Sequence, residues 1–176
     1  MIVFLGIAGS GKTIQSKELA KRLDCPRVSV GELLRKNLSG DELDKVEHGH
    51  LIDDQIVKQT IETYLKKHAG KQIIIDGSPR TFEQAKWLVQ VNKKYNLGEM
   101  VAIHLKASKL VVKDRLLARK RVDDNEPAIH KRFDEYGNQI DDICDYLKAS
   151  NIKLIDVDAE LPIDDVQNQI SKSLKP

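Results

Sequence analysis

Short runs of β-branched and aliphatic residues alternate with segments whose apolar positions recur every three or four residues, almost from one end of the chain to the other. Residues 2–5, 27–30, 72–76, 100–105 and 153–156 read as strands. Three of these runs are nearly continuous in apolar residues, as expected of strands buried on both faces. Between residues 126 and 147, Ile129, Phe133, Tyr136, Ile140, Ile143 and Leu147 step by four, three, four, three and four, one stripe along a long helix. Ile163, Val166, Ile170 and Leu174 repeat that spacing near the C-terminus, with Pro162 expected in the first turn. Ile52, Ile56, Thr60, Ile61 and Tyr64 predict a further helix before the third strand. Strands alternating with helices predict a doubly wound α/β fold, a parallel sheet covered on both faces. Residues 31–69 hold helical patterns but no strand pattern, so they are free to project from the sheet as a lobe.

The chain has 176 residues, 40% hydrophobic and 32% charged, enough apolar matter for a single domain and too much for a disordered chain. Lys and Arg number 29 against 27 Asp and Glu, and a net charge of +2 gives no reason to expect a nucleic acid or an anionic membrane as partner. Cys25 and Cys144 are too few for a disulfide framework, and no CxxC pair is present to hold zinc. No apolar run approaches a membrane span, and Met1 leads straight into a strand without a basic leader. The expectation is a cytoplasmic protein.

Gly6-Ile7-Ala8-Gly9-Ser10-Gly11-Lys12-Thr13 fits G-x-x-x-x-G-K-[ST], directly after the first strand and opening a helix. In such a loop the glycines let backbone N–H groups, here around Gly9, Ser10, Gly11 and Ile14, converge on phosphate oxygens at a helix N-terminus. Lys12 is expected to reach the β- and γ-phosphates and the Thr13 hydroxyl to serve Mg²⁺. Asp76 ends the third strand beside this loop, where it can orient the metal or its water shell.

Arginines fall in the places where an open α/β sheet binds ligands. Arg35 follows the second strand, Arg80 the third, and Arg115, Arg119 and Arg121 cluster at the end of the helix after the fourth, with Arg132 on the long helix. Converging guanidinium forks would neutralise a crowded phosphate chain. A phosphate acceptor is already largely ionised at neutral pH, so transfer between two phosphates needs no general base. His48, His50, His68, His104 and His130 show no ligand spacing and read as surface or packing residues, and both cysteines as small buried hydrophobes.

Four ordered motifs resemble the adenylate kinase family of nucleoside monophosphate kinases over nearly the whole chain. The loop ending in Thr13 continues to Gln15 as GKxxQ; Ser29-Val30-Gly31-Glu32-Leu33-Leu34-Arg35 is similar to S-T-G-D-L-L-R; Asp76-Gly77-Ser78-Pro79-Arg80-Thr81 with Gln84 is similar to D-G-F-P-R-T-x-x-Q; and Arg121-Val122-Asp123-Asp124-Asn125 with Lys131-Arg132 resembles R-x-D-D-N…K-R. The resemblance implies a sheet ordered 2-3-1-4-5 and three parts within 1–176: a core of 1–30, 70–118 and 126–176, a monophosphate-binding lobe of 31–69, and a short lid of 119–125. It implies ATP and AMP as substrates with Mg²⁺. Arg35 and Arg80 would grip the AMP phosphate, with Val30, Gly31 and Gly77 around the nucleotide and Gln84 on the adenine edge. Lys12, Arg80, Arg119, Arg121 and Arg132 would serve the transferring phosphoryl group, Arg121 and Arg132 also touching AMP. Arg115 would lie over the ATP base, and the loop through Leu161, Pro162 and Ile163 would offer it backbone groups. A monomer or small homo-oligomer is expected.

The chain also departs from the family pattern. Val30 stands for the usual Thr, Ser78 for the usual aromatic, Glu32 for Asp and Ala159 for a frequent Gly, and only Lys120 separates Arg119 from Arg121. So short a lid predicts poorer water exclusion and some ATP hydrolysis. The rival readings are a UMP/CMP or broad-specificity kinase and a nucleotide-binding ATPase; Gln84 with Thr81 favours adenine over the first, and Arg35, Arg80 and Gln84 have no use in the second.

Overall fold

The computed structural model describes residues 1–47, 50, 52–121 and 124–174, so His48, Val122 and Asp123 lie outside the described residues. Strands β1 (Ile2–Leu5), β2 (Arg27–Ser29), β3 (Ile74–Asp76), β4 (Val101–Lys106) and β5 (Lys153–Asp158) form one sheet. All pairings are parallel and the order is β2-β3-β1-β4-β5. Helices α1 (Lys12–Leu23), α2 (Val30–Asn37), α3 (Asp41–Glu47), α4 (Asp54–Lys66), α5 (Phe82–Lys94), α6 (Lys109–Arg119), α7 (Glu126–Ala149) and α8 (Ile163–Leu174) fill the connections.

The period-2 alternation of each strand divides its side chains between two apolar layers. Ile2, Phe4, Ile74 and Ile103 pack with Leu19 of α1 and Val166 and Ile170 of α8. Val3, Leu5, Ile75 and Ala102 face the other way, onto Ile61 and Leu65 of α4, Leu88 of α5 and Leu147 of α7. A smaller cluster joins Ile7 to Val112 and Leu116 of α6 and Ile129 and Phe133 of α7. It holds the turn after β1 against the helix pair that carries four of the arginines or leads into them.

Boundaries differ from the pattern in small ways. Val30 starts α2 instead of ending β2, and β3 is shorter than residues 72–76 because Lys71 and Gln72 are exposed beyond the sheet. Pro162 sits just before α8, its carbonyl accepting from Val166 N–H at 3.1 Å, so it caps the helix and does not lie in its first turn. Cys144 is buried as expected, but Cys25 is only partly so. His104 packs under the sheet end, with Nε2 2.7 Å from the Tyr136 hydroxyl and Nδ1 3.1 Å from Asp156.

Candidate active site

The loop after β1 is tight because Gly6 and Gly9 leave no room for side chains. At Gly9, with φ 87°, an added Cβ would lie 2.9 Å from both Leu116 Cγ and the Val112 carbonyl; at Gly6 it would lie 2.7 Å from the Leu105 carbonyl. Gly11 caps α1 without any side-chain hydrogen bond, and no acidic residue occupies the first turn. The orphan N–H groups and positive end of the helix dipole are thus left for an anion. Ser10 Oγ is buried and has no partner among the described residues, as a cradle for an absent oxyanion would leave it. Lys12 folds back, Nζ donating to the carbonyls of Gly6 at 2.6 Å and Ile7 at 2.9 Å. Burial pulls its pKa down to about 8, against the pull of Asp76 and with Arg80, Arg119 and Arg132 pushing the same way.

Asp76 closes β3 next to both β1 and β2, opposite Phe4 and Ser29. Its Oδ2 accepts from Thr13 Oγ1 at 2.7 Å and from Arg27 Nη2 at 2.9 Å, while Arg27 Nε donates to Ser16 Oγ at 2.7 Å. A hydroxyl and a carboxylate beside a phosphate cradle are hard oxygen donors, and no group of three or more metal-binding side chains occurs among the described residues. This donor set fits Mg²⁺, which binds through one or two protein oxygens and completes its shell with water and substrate phosphate.

Opposite the loop, Asp124 organises the arginines. Its side chain is fully buried; Arg119 grips it with a two-pronged fork at 2.8 and 2.7 Å, the backbone N–H of Arg121 donates at 3.0 Å and Arg132 Nη2 at 3.3 Å. Burial alone would raise this carboxyl, but the guanidinium and N–H donors hold it below its ordinary value. Arg80, beyond β3, donates through Nε to the Gly77 carbonyl at 3.1 Å. Desolvation in the cleft lowers its pKa, opposed by Asp76 and reinforced by Arg132 and Arg35. Six guanidinium groups and Lys12 therefore line a space whose carboxylates are those of Asp76, Glu135 and Glu160.

At one end Arg115 of α6 lies over the loop before α8, donating to the Ala159 carbonyl at 2.8 Å. Gln15 fixes that loop to α1 by donating to the Ile163 carbonyl at 3.2 Å. At the other end stand Val30 and Leu34 of α2, with Ile52 and Val57 at α4, all buried and apolar. Gln84 is buried at the start of α5 and bonded to Asp54, the first residue of α4, at 2.7 Å.

These parts line one cavity of about 870 Å³. Gly9, Ser10, Gly11, Lys12, Thr13 and Ile14 form its floor, Asp76, Gly77, Arg80 and Gln84 one side, Val30, Gly31 and Arg35 the next, and Arg115, Arg119, Arg121, Arg132, Leu161, Pro162 and Ile163 the remainder. Every residue expected at the site from the sequence lines this cavity. Sequence reasoning assigned no role to Asp124, Arg27 or Asp54, which hold the cavity-lining side chains of Arg119, Asp76 and Gln84 in place. Asp124 had a signal in the R-x-D-D-N stretch; Arg27 and Asp54 had none beyond their proximity to motifs.

A phosphate-binding loop on a 2-3-1-4-5 parallel sheet, faced by converging arginines, defines a P-loop nucleotide-binding protein. A family model described as adenylate kinase matches residues 4–152. Among curated proteins, "Adenylate kinase 1" of Synechocystis sp. is 35% identical over 184 aligned residues, covering 99% of this chain and 97% of that relative. "Adenylate kinase" of Corynebacterium urealyticum is 33% identical over 172, covering 94% and 93%, and that of Mycolicibacterium vanbaalenii 34% over 167, covering 91% and 92%. The chain belongs to the adenylate kinase family.

Proposed function

We propose that this enzyme transfers the γ-phosphoryl group of Mg·ATP to AMP, giving two ADP. The observation that carries the reading is the single cavity in which the Lys12 loop and the arginines on Asp124 face Arg35 and Arg80. One anion site would serve a triphosphate; two sites of fixed cations, each beside its own base-sized wall, serve a donor and an acceptor. The wall of Arg115 and the loop through Leu161, Pro162 and Ile163 takes the ATP base. The wall of Val30, Gly31, Gly77 and Gln84 takes AMP.

In the reaction an AMP phosphate oxygen attacks Pγ in line as the bond from Pγ to the β-bridging oxygen breaks, and ADP leaves with no covalent enzyme intermediate. The acceptor phosphate has a second pKa of about 6, so it arrives ionised and no residue need act as base. Arg35 and Arg80 hold it; Lys12, Arg119, Arg121 and Arg132 meet the charge on the transferring group. Thr13 and Asp76 would hold Mg²⁺, directly or through water, and the ion would supply charge neutralisation on the phosphates. Residues 31–69 act as the closing lobe and 119–125 as the short lid over the core of 1–30, 70–118 and 126–176. Lys131 of α7 already reaches His50 of the lobe at 2.6 Å. A cytoplasmic setting, where both nucleotides are dissolved, belongs to the same reading, and no described helix is long and apolar enough to cross a membrane.

The test is the initial rate of ADP formation from Mg·ATP with AMP, CMP, UMP, GMP or no acceptor. Strong preference for AMP is expected; hydrolysis indifferent to every monophosphate would overturn the reading.

A further inference from the structure

A carboxamide has four hydrogen-bonding valences, two lone pairs on oxygen and two N–H on nitrogen. In Gln84, 2% exposed yet lining the cavity, three of them are spent. Oε1 accepts from the Arg80 backbone N–H at 2.8 Å and from the Ser78 hydroxyl at 3.1 Å, and Nε2 donates to Asp54 Oδ1 at 2.7 Å. A carboxylate can only accept and a backbone N–H can only donate, so these partners allow the amide one orientation. Asp54 is itself fixed, because its Oδ2 accepts from Thr81 Oγ1 at 2.8 Å. Ser78 stands where relatives of this pattern carry an aromatic side chain, so one of the bonds on Oε1 comes from this chain's own departure. The second N–H of Nε2 has no acceptor among the described residues. Gln139, another amide lining the cavity, accepts at Oε1 from the Phe82 N–H at 3.1 Å.

We propose that Asp54, Ser78 and the Arg80 backbone hold Gln84 so that the acceptor base is read through one N–H alone. Such a site selects a base presenting a ring acceptor at that edge and does not read an exocyclic amino group. Asp54 is then a positioning residue for acceptor specificity. The inference rests on the kinase reading above.

Three purine monophosphates of similar size separate the possibilities in the unaltered enzyme: AMP, the purine ribonucleotide lacking the 6-amino group, and IMP, whose N1 carries a hydrogen. With Mg·ATP as donor, the nucleotide lacking the amino group should match AMP in kcat/KM within about threefold. IMP should fall by about a hundredfold or more, because a buried donor then faces a donor. A hundredfold loss with the first nucleotide, or IMP equal to AMP, would overturn the inference while leaving the kinase reading intact. No transfer to any of them, AMP included, would overturn both. In Asp54→Asn the partner of Nε2 is no longer restricted to accepting, so the AMP-to-IMP ratio should shrink by about tenfold while kcat with AMP changes little. Equal losses for AMP and IMP would reduce Asp54 to a structural residue and overturn its positioning role.

Discussion

Arg119, the last residue of α6, holds both carboxylate oxygens of Asp124, five positions on and just before α7, at 2.8 and 2.7 Å. The same carboxylate accepts from Arg132, so one buried acid sets the spacing of two guanidinium groups that would otherwise repel. Asp124→Ala should remove the carboxylate those two cations share and let them move apart. Breaking one side of such a pair costs about 3 kcal/mol, roughly 10 °C in Tm for a chain of this size. Displaced charge on the transferring phosphoryl should lower kcat by about tenfold to a hundredfold, with a smaller change in the ATP dissociation constant. Thermal unfolding and steady-state rates check both; unchanged kcat would remove Asp124 from the organisation of the site.

Lys12 makes the free enzyme sensitive to alkaline pH. Its pKa is lowered to about 8, so it is charged below that value and loses its proton as the pH rises through it. The charged form is the one that binds phosphate. kcat/KM for ATP, which reports the free enzyme, should therefore be flat up to about pH 8 and then fall, by as much as about tenfold per unit. Bound phosphates favour the ammonium and push its pKa back up, so kcat should hold to higher pH. Lys12→Met should remove the break and lower kcat by about a hundredfold or more. A kcat/KM that stays level through pH 9 would contradict this.

Arg119 ends α6 and Glu126 opens α7, so the proposed lid is little more than the connection between two helices. Closing elements shield a reacting phosphate from water, and a short one shields less. Orthophosphate should appear from Mg·ATP when AMP is absent, at a rate measurable with a coupled phosphate assay. If none is detected without AMP, the short lid excludes water as well as a long one would.

Much of this architecture is legible in the chain because its signals are local. The loop of Gly6, Gly9, Gly11 and Lys12 needs no partner to be recognised, and the nearly continuous apolar runs of β1 and β4 show that both sheet faces are covered. The arginines at strand ends announce a polyanion. What stays hidden is long-range pairing. Arg27 is a strand residue by pattern, and nothing near it says that it meets Asp76, 49 residues on. Asp54 reads as one more acid at a helix start until the fold brings α4 beside α5. Val30 shows the opposite limit: with Val28 it reads as strand, yet the chain turns into α2 there, where Leu33 and Leu34 pack onto the same core as the sheet.

On the proposed reading, the pairing of Arg27 with Asp76 also sets the metal requirement. With its side chain 4% exposed, Asp76 would be costly as an unpartnered carboxylate, and the guanidinium and Thr13 hydroxyl pair with it and aim it. Asp76→Asn keeps the shape and removes the negative charge that a divalent ion needs. The Mg²⁺ concentration for half-maximal rate should rise by about tenfold, and kcat at saturating Mg²⁺ should fall by about a hundredfold, in line with losing one electrostatic contact to the reacting phosphates. Removing Mg²⁺ with a chelator should abolish transfer in the unaltered enzyme, and the two enzymes should then be alike. Arg27→Met separates positioning from charge: the carboxylate remains but loses its anchor, so the Mg²⁺ requirement should move while binding of metal-free ATP does not. An Asp76→Asn enzyme with an unchanged Mg²⁺ titration would place the ion elsewhere in the cavity.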